Sequence, residues 1–390
     1  MKLINIIDVM KKLLIVHNFY KDFGGEDSNI SEELEYFKKK YEVAFFSEKN
    51  NNELNIYDVL SFFVKSNIKT NRKFNAVMNQ FNPDIVYIHN TWFKINLGIF
   101  DILKKKKVKV ILKIHNFRYE CGRHFFSKSH LVGKPRCDAC GFNKPYFFFL
   151  NKYYTESYMK SFFLFLYSVK YFKIIKNYPL TLLAVSSFHK KRLIESGIDG
   201  KRIKVFNNPV NFGNYIIKKK ERSVVYAGRI STEKGVEELI NSWLSSNLLH
   251  YTLYIIGEGE LKSVLEKKYK DKNIQFLGYL SNEKVLEYIS SAQAVITATK
   301  LYEGQPRLLC EASSLGTVSI YPSFGGMDEF FPKNYNYSFK QFDYQELTRV
   351  VNSLEDNKKY EAAHKDVKNY ISIKLDEREI FSKFSQIVDE

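Results

Sequence analysis

Short apolar runs rich in β-branched residues alternate with helix-length periodic segments along nearly the whole chain. Leu13–His17, Val43–Ser47, Ile85–His89, Val108–His115, Leu182–Ser186 and Ile203–Phe206 read as strands. Their continuous apolar character suits a parallel sheet covered on both faces. A polar loop, NNPVNFGNY, follows at 207–215, and then the pattern restarts. Val224–Gly228, Thr252–Gly257, Ile274–Leu277, Ala294–Ala298 and Val318–Tyr321 are its second set of strands. This order predicts two doubly wound α/β domains, residues 1–212 and 213–375. The segment 376–390 is amphipathic at helical spacing and is expected to pack back on the body. A length of 390 residues agrees, since single cores stop growing at about 250–300 residues.

A net charge of +17 points to anionic partners: nucleotides, nucleic acid or an acidic lipid surface. The start of the chain, MKLINIIDVMKKLLIVH, interrupts its apolar runs with Asp8, Lys11 and Lys12, which makes a poor signal peptide. The stretch SFFLFLYSV (161–169) is about half of what a membrane span requires. Both features argue for a cytosolic protein, in which the four cysteines would form no disulfide framework. Lys104 to Lys107 reads as a solvated helix end.

In doubly wound folds ligands bind beyond the carboxyl ends of the strands, and the chemically suggestive residues fall there. After the first strand, FGGEDSN offers Gly24 and Gly25 for close backbone approach, ahead of a helix expected near Ser28. An ordinary glycine turn is the alternative. AGRISTEKGV places Arg229 and Lys234 on a strand-to-helix loop with Gly228 and Gly235. They could clamp a diphosphate, or stand as two exposed cations. IIGEGE (255–260) lacks the GxGxxG spacing of a dinucleotide site, which counts against an oxidoreductase. ITATKLYEGQPRLLCEA runs from a strand through Glu303 and Gly304 into a helix opened by Pro306, with Glu311 inside it. Eight helical steps would hold the two carboxylates about 12 Å apart along the axis. That is too far for the nucleophile–acid pair of a retaining hydrolase.

Taken in order, Gly-Gly, KIHN (113–116), GRISTEKG, GEG, FLGYLS, EGQPRLLCEA and SFGGMDE resemble the retaining GT-B glycosyltransferases of family 4 over roughly residues 13 to 330. The resemblance implies two Rossmann-like domains facing across a cleft and a UDP- or GDP-linked sugar donor. It assigns the donor diphosphate to Arg229 and Lys234, without a catalytic metal or other cofactor, and the ribose hydroxyls to Glu311. Glu303 and Gly304 would face the transferred sugar, with His115 beneath it. Gly24, Gly25, Gly228, Gly257 and Gly278 would line the donor side. His89 and Asn116 would serve the acceptor, although a strand-end His89 could equally be structural. No enzyme nucleophile is implied, because retention in this family is explained by same-face attack with the leaving phosphate as base.

The region from about 117 to 178 is an insertion, Cys-rich and then aromatic. Cys121, Cys137 and Cys140 suggest a structural zinc, but a closed site needs a fourth ligand. His124 or His130 could supply it; otherwise these are reduced thiols. Cys310 reads as a small core residue. The aromatic and basic stretch that follows is either helix buried against the sheet or a surface lying on an anionic bilayer. The resulting expectation is a hexose-transferring enzyme of surface polysaccharide synthesis (O-antigen or capsule), peripheral on the inner face of the membrane. Its acceptor would be a glycan, polyprenyl-diphosphate-linked or soluble. A nucleotide-sugar epimerase shares the architecture, and a basic nucleic-acid-binding α/β protein is the non-enzymatic alternative.

Overall fold

The computed structural model describes residues 10–20, 25–50, 67–121, 157–210, 219–270 and 272–390. Gly24, Cys137 and Cys140, with His124 and His130, lie outside them. The first half contains β1 (Lys12–Phe19), β2 (Glu42–Lys49), β3 (Ile85–Asn90), β4 (Lys109–Ile114), β5 (Thr181–Ala184) and β6 (Ile203–Val205). They form one parallel sheet in the order β2-β1-β3-β4-β5-β6. The second half contains β7 (Glu221–Ala227), β8 (Thr252–Ile256), β9 (Ile274–Gly278), β10 (Ala292–Ile296), β11 (Val318–Ser323) and β12 (Ser338–Lys340). Its parallel order is β12-β11-β10-β7-β8-β9. In each sheet the connections leave in opposite directions from one strand, β1 or β7, and a crevice opens at that switch.

The predicted strands all form, because continuous apolar runs are what a doubly covered sheet demands. Leu13, Leu14, Ile15 and Val16 are each fully buried, and burial of such a side chain is worth about 1.5–3 kcal/mol. β2 departs from the expectation: it is an edge strand in which only Phe46 is buried. β12 is three residues long and carries too little pattern to be seen in advance.

The helices of the first half are α1 (Gly25–Phe37), α2 (Ile68–Phe81), α3 (Ile99–Lys106), α4 (Tyr158–Asn177) and α5 (Ser187–Glu195). Those of the second are α6 (Val236–Leu244), α7 (Lys262–Lys268), α8 (Asn282–Ser291), α9 (Arg307–Ser314), α10 (Tyr344–Asn352), α11 (Asn357–Lys374) and α12 (Glu377–Asp389). Side-chain caps fix several starts. Asn67 accepts from the Thr70 N–H at 3.2 Å, and Ser186 from the His189 N–H at 3.1 Å. α1 starts at Gly25, earlier than the sequence suggests. α4 buries Leu164, Tyr167, Tyr171 and Ile175 while leaving Tyr158 and Met159 exposed. Among the described residues no helix is long and apolar enough to cross a membrane.

The final helix does not stay with the second sheet. In α12, Phe381 stacks on Tyr36 at 3.6 Å, and Phe384 lies 4.5 Å from Phe37 and 5.0 Å from Tyr87. Lys109 Nζ donates to the carbonyls of Ile387 and Val388 at 2.7 and 2.9 Å. The first half's core is thus closed by residues from the far end of the sequence.

Candidate active site

At the second switch point the tips of β7 and β10 bound a cavity of about 170 Å³, lined by Gly228, Lys234, Thr297, Thr299, Glu303 and Arg307 among others. The loops beside it require glycine at two positions. Gly235 has φ +65°, and a Cβ there would lie 2.2 Å from the Ala298 carbonyl oxygen. Gly257 has φ +135°, and its Cβ would lie 1.9 Å from the Gly228 carbonyl oxygen. Strand tips are tied by Gly228 N–H to Ile256 O at 3.0 Å and Gly257 N–H to Gly278 O at 2.8 Å. Gly257 and Gly278 therefore set the shape of the loop platform beside the cavity.

Lys234 and Glu303, 69 positions apart in sequence, meet at 2.7 Å on the cavity wall. Both side chains are partly exposed, at 24% and 30%, so an incoming anion can compete for the ammonium. Arg229 is more exposed and lies 3.4 Å from Glu233. Glu311 sits one turn into α9, is 7% exposed, and accepts from Arg307 Nε at 2.7 Å. Burial pushes its carboxyl above the usual range, with Arg307 opposing. Cys310 is fully buried in the same helix, and burial pushes its thiol up.

Arg307 also spans the two halves. Its guanidinium reaches Asn29 and, at 2.5 Å, Glu32, both on α1. Further contacts cross beside it. Asn208 N–H donates to Gln305 Oε1 at 2.7 Å and Gln305 Nε2 donates to the Asn208 carbonyl at 2.9 Å. Glu329 accepts from the Ser187 N–H at 2.8 Å and from the Phe188 N–H, capping α5 from the other half. Gly304 fits because a Cβ there would lie 2.8 Å from Val185 Cγ2.

The first switch point is built differently. His17, at the end of β1, donates through Nε2 to Asp27 at 2.8 Å, with both side chains sealed from solvent. Glu33 of α1 accepts from Lys113 Nζ and, at 2.9 Å, from Tyr87 Oη. The same carboxylate lies 3.5 Å from His89 Nε2. His89 Nδ1 and His115 Nε2 lie 3.1 Å apart, so one donates to the other. His89, at 5% exposure, stands behind His115, while His115 is half-buried just past β4. Burial, with Lys113 and neighbouring imidazoles adding to it, holds both histidines well below their ordinary pKa. Both rings are therefore neutral at pH 7, and a neutral imidazole offers one N–H and one lone pair. Asn116 Nδ2 donates to Glu26 at 2.7 Å. Gly25 opens α1, and Cys121 is buried.

Among the site residues proposed from sequence, the structure thus brings together Lys234 with Glu303 and His89 with His115. The sequence assigned no role to the partners Arg307, Asn29, Glu32, Glu33, Lys113, His17 and Asp27, although Arg307, Lys113, Asp27 and Asn29 lie within its motifs. On a helix such as α1, Glu32 and Glu33 look like ordinary solvated charges. Among the described residues no group of three or more His, Cys, Asp or Glu is placed to hold a metal ion.

Comparison with known proteins agrees with this architecture. Residues 208–370 match the family model of glycosyl transferases group 1. Over 148 residues the chain is 26% identical to the amylovoran biosynthesis glycosyltransferase AmsD of Erwinia amylovora, covering 35% of this chain and 42% of that one. Over 150 residues it is 30% identical to the lipopolysaccharide 1,6-galactosyltransferase of Salmonella typhimurium, covering 35% and 41%. These alignments span about two fifths of each relative's length. Among solved structures, Anabaena HepE in complex with UDP-glucose superposes with a TM-score of 0.70 at 15% identity, covering 97% of this chain and 99% of that one. Sucrose-phosphate synthase from Thermosynechococcus elongatus gives 0.71 at 12% identity, over 97% and 98%. The fold is GT-B, and the match to the glycosyl transferases group 1 family model is confined to residues 208–370.

Proposed function

We propose that the chain is a glycosyltransferase that moves a sugar from a nucleoside-diphosphate donor to a glycan acceptor with retention of configuration. The observation that carries this reading is the partly exposed Lys234–Glu303 pair on the wall of the second switch-point cavity. A donor diphosphate entering there takes over the Lys234 ammonium, with Arg229 as the second cation. Glu303, released, accepts hydrogen bonds from the sugar hydroxyls, and Glu311 serves the ribose. In the step itself the bond between the anomeric carbon and the diphosphate oxygen breaks, and its electron pair leaves with the diphosphate. The acceptor hydroxyl oxygen bonds the anomeric carbon on the same face and passes its proton to the departing phosphate. Preorganised cations on the leaving side are the largest available lever on such a charge-separating step, and no metal is required. His115, held by His89, sits under the sugar from the first half.

The relatives named for amylovoran and lipopolysaccharide synthesis, together with the +17 charge and the exposed Tyr158 and Met159 of α4, support a surface-polysaccharide acceptor. We place that acceptor on a lipid-linked carrier at the cytoplasmic face of the membrane. The test is a thermal-melt panel with UDP, GDP, ADP, their sugar conjugates and NAD. A ligand at a hundredfold its dissociation constant stabilises the native state by about 2.7 kcal/mol. Selective stabilisation by UDP or GDP, lost in Lys234→Ala, is the expected result; a response to NAD alone, or to no nucleotide, overturns the reading.

A further inference from the structure

The first half holds a buried cation that the proposed reaction does not use. Arg118 lies just beyond β4, past His115, and is 8% exposed. Its guanidinium carbon sits 5.2 Å from the ring centre of Tyr20 and 4.6 Å from that of Trp92. Nε and Nη1 are fully buried and have no hydrogen-bond partner, and no described carboxylate pairs with the group. The nearby Glu26 is engaged elsewhere, accepting from Tyr20 Oη at 2.9 Å and Asn116 Nδ2 at 2.7 Å.

Other buried cations of this chain are treated differently. Lys113 is paired with Glu33, and Arg307 with Glu32 and Glu311. A guanidinium cannot shed its proton to relieve the cost of burial, as a lysine can. Two aromatic faces return part of that cost. They leave Nε–H and Nη1–H unmet, and each of these forms with Nη2 a fork that suits an anion able to accept two parallel hydrogen bonds. One residue before Trp92, Thr91 is 1% exposed and its Oγ1 likewise lacks a partner, so the neighbourhood holds a second unused polar group.

We propose that Arg118 receives a phosphoryl group, monophosphate or diphosphate, carried by the acceptor. This rests on the glycosyltransferase reading only in assigning the group to the acceptor, because the cations proposed for the donor, Arg229 and Lys234, belong to the second half. The anchor would hold the acceptor's charged end at the carboxyl edge of the first sheet, the same edge that carries His115.

The test is calorimetric titration of the full chain with inorganic phosphate, inorganic diphosphate, glucuronate and a prenyl diphosphate in detergent micelles. Saturating UDP is present to occupy the second-half cations. Diphosphate should bind the wild type, at least tenfold more weakly in Arg118→Gln, with UDP affinity unchanged. Arg118→Lys, which keeps the charge and loses the fork, should fall between them, and it serves in place of the glutamine variant if that fails to fold. Tighter binding of the prenyl diphosphate than of the soluble ion makes the source a lipid headgroup; equal binding makes it a soluble phosphate. Unchanged diphosphate affinity in both variants, or a preference for glucuronate, overturns the proposal. Absence of UDP binding in the wild type counts against the donor reading alone, since the Arg118 comparison still stands without it.

Discussion

The two sheets are both parallel and doubly wound, with different strand orders, and both bring charged side chains to the switch point, yet they use them in opposite ways. At the first switch point Lys113 with Glu33 and His17 with Asp27 form pairs sealed within the protein. At the second, Lys234 and Glu303 form one pair that is a quarter to a third exposed beside an open cavity. A sealed pair repays its desolvation only while both partners are present, so it fixes geometry. A partly exposed pair is held weakly and can be traded for a ligand. The comparison separates a site that positions from a site that exchanges.

Breaking the sealed side should cost stability most. Glu33→Ala leaves Lys113 buried without a partner and should lower unfolding free energy by about 3–5 kcal/mol, read from urea denaturation. A Glu33→Leu/Lys113→Met double variant should recover most of that loss; failure to recover would mean that the pair does more than satisfy itself. On the exchanging side, Lys234→Ala should leave the melting temperature of the unliganded protein nearly unchanged. Its turnover with the donor found in the melt panel should fall about 10²–10³-fold, the cost of one preorganised donor to a developing anion. Wild-type turnover there would remove Lys234 from the site.

The smallest effect concerns acid. Burial lowers the His189 pKa to about 3, and burial also holds His89 and His115 well below their ordinary value. An unfolded histidine titrates near about 6.5, so below that pH the unfolded chain binds the extra proton and the folded one does not. Stability from these residues is complete above about pH 6.5 and is lost as pH falls toward their folded values, at up to about 1.4 kcal/mol per pH unit for each. His189 is packed against Phe117 and Tyr119 at ring distances of 4.6 and 5.6 Å. His189→Phe should therefore flatten the slope of urea midpoint between about pH 7 and pH 5. An unchanged slope would place the acid sensitivity elsewhere.

Much of this was legible in the sequence because it is local. Strands buried on both faces must be apolar without alternation, and loops at their carboxyl ends must carry the glycines and polar residues. Lys234 and Glu303 stood out for that reason, as did His115 and His89. Their pairings were not legible, because nothing in GRISTEKG states that its lysine faces the glutamate of YEGQP. Arg307 and Asn29 are 278 positions apart, and each alone reads as a helix surface residue. Arg118 was equally silent: a buried arginine and a solvated one leave the same mark in a sequence. The edge position of β2 escaped because its apolar residues resemble those of the central strands, and only the strand order reveals its exposure.

The return of α12 to the first sheet has a consequence for biosynthesis. Phe37 and Tyr87 are covered by Phe384, and Phe206 lies 5.6 Å from the same ring. Until residues 377–389 have left the ribosome, a nascent first half can pair its strands but presents that aromatic surface to water. The two halves are thus interlocked in time as well as in space: the half translated first completes its core last.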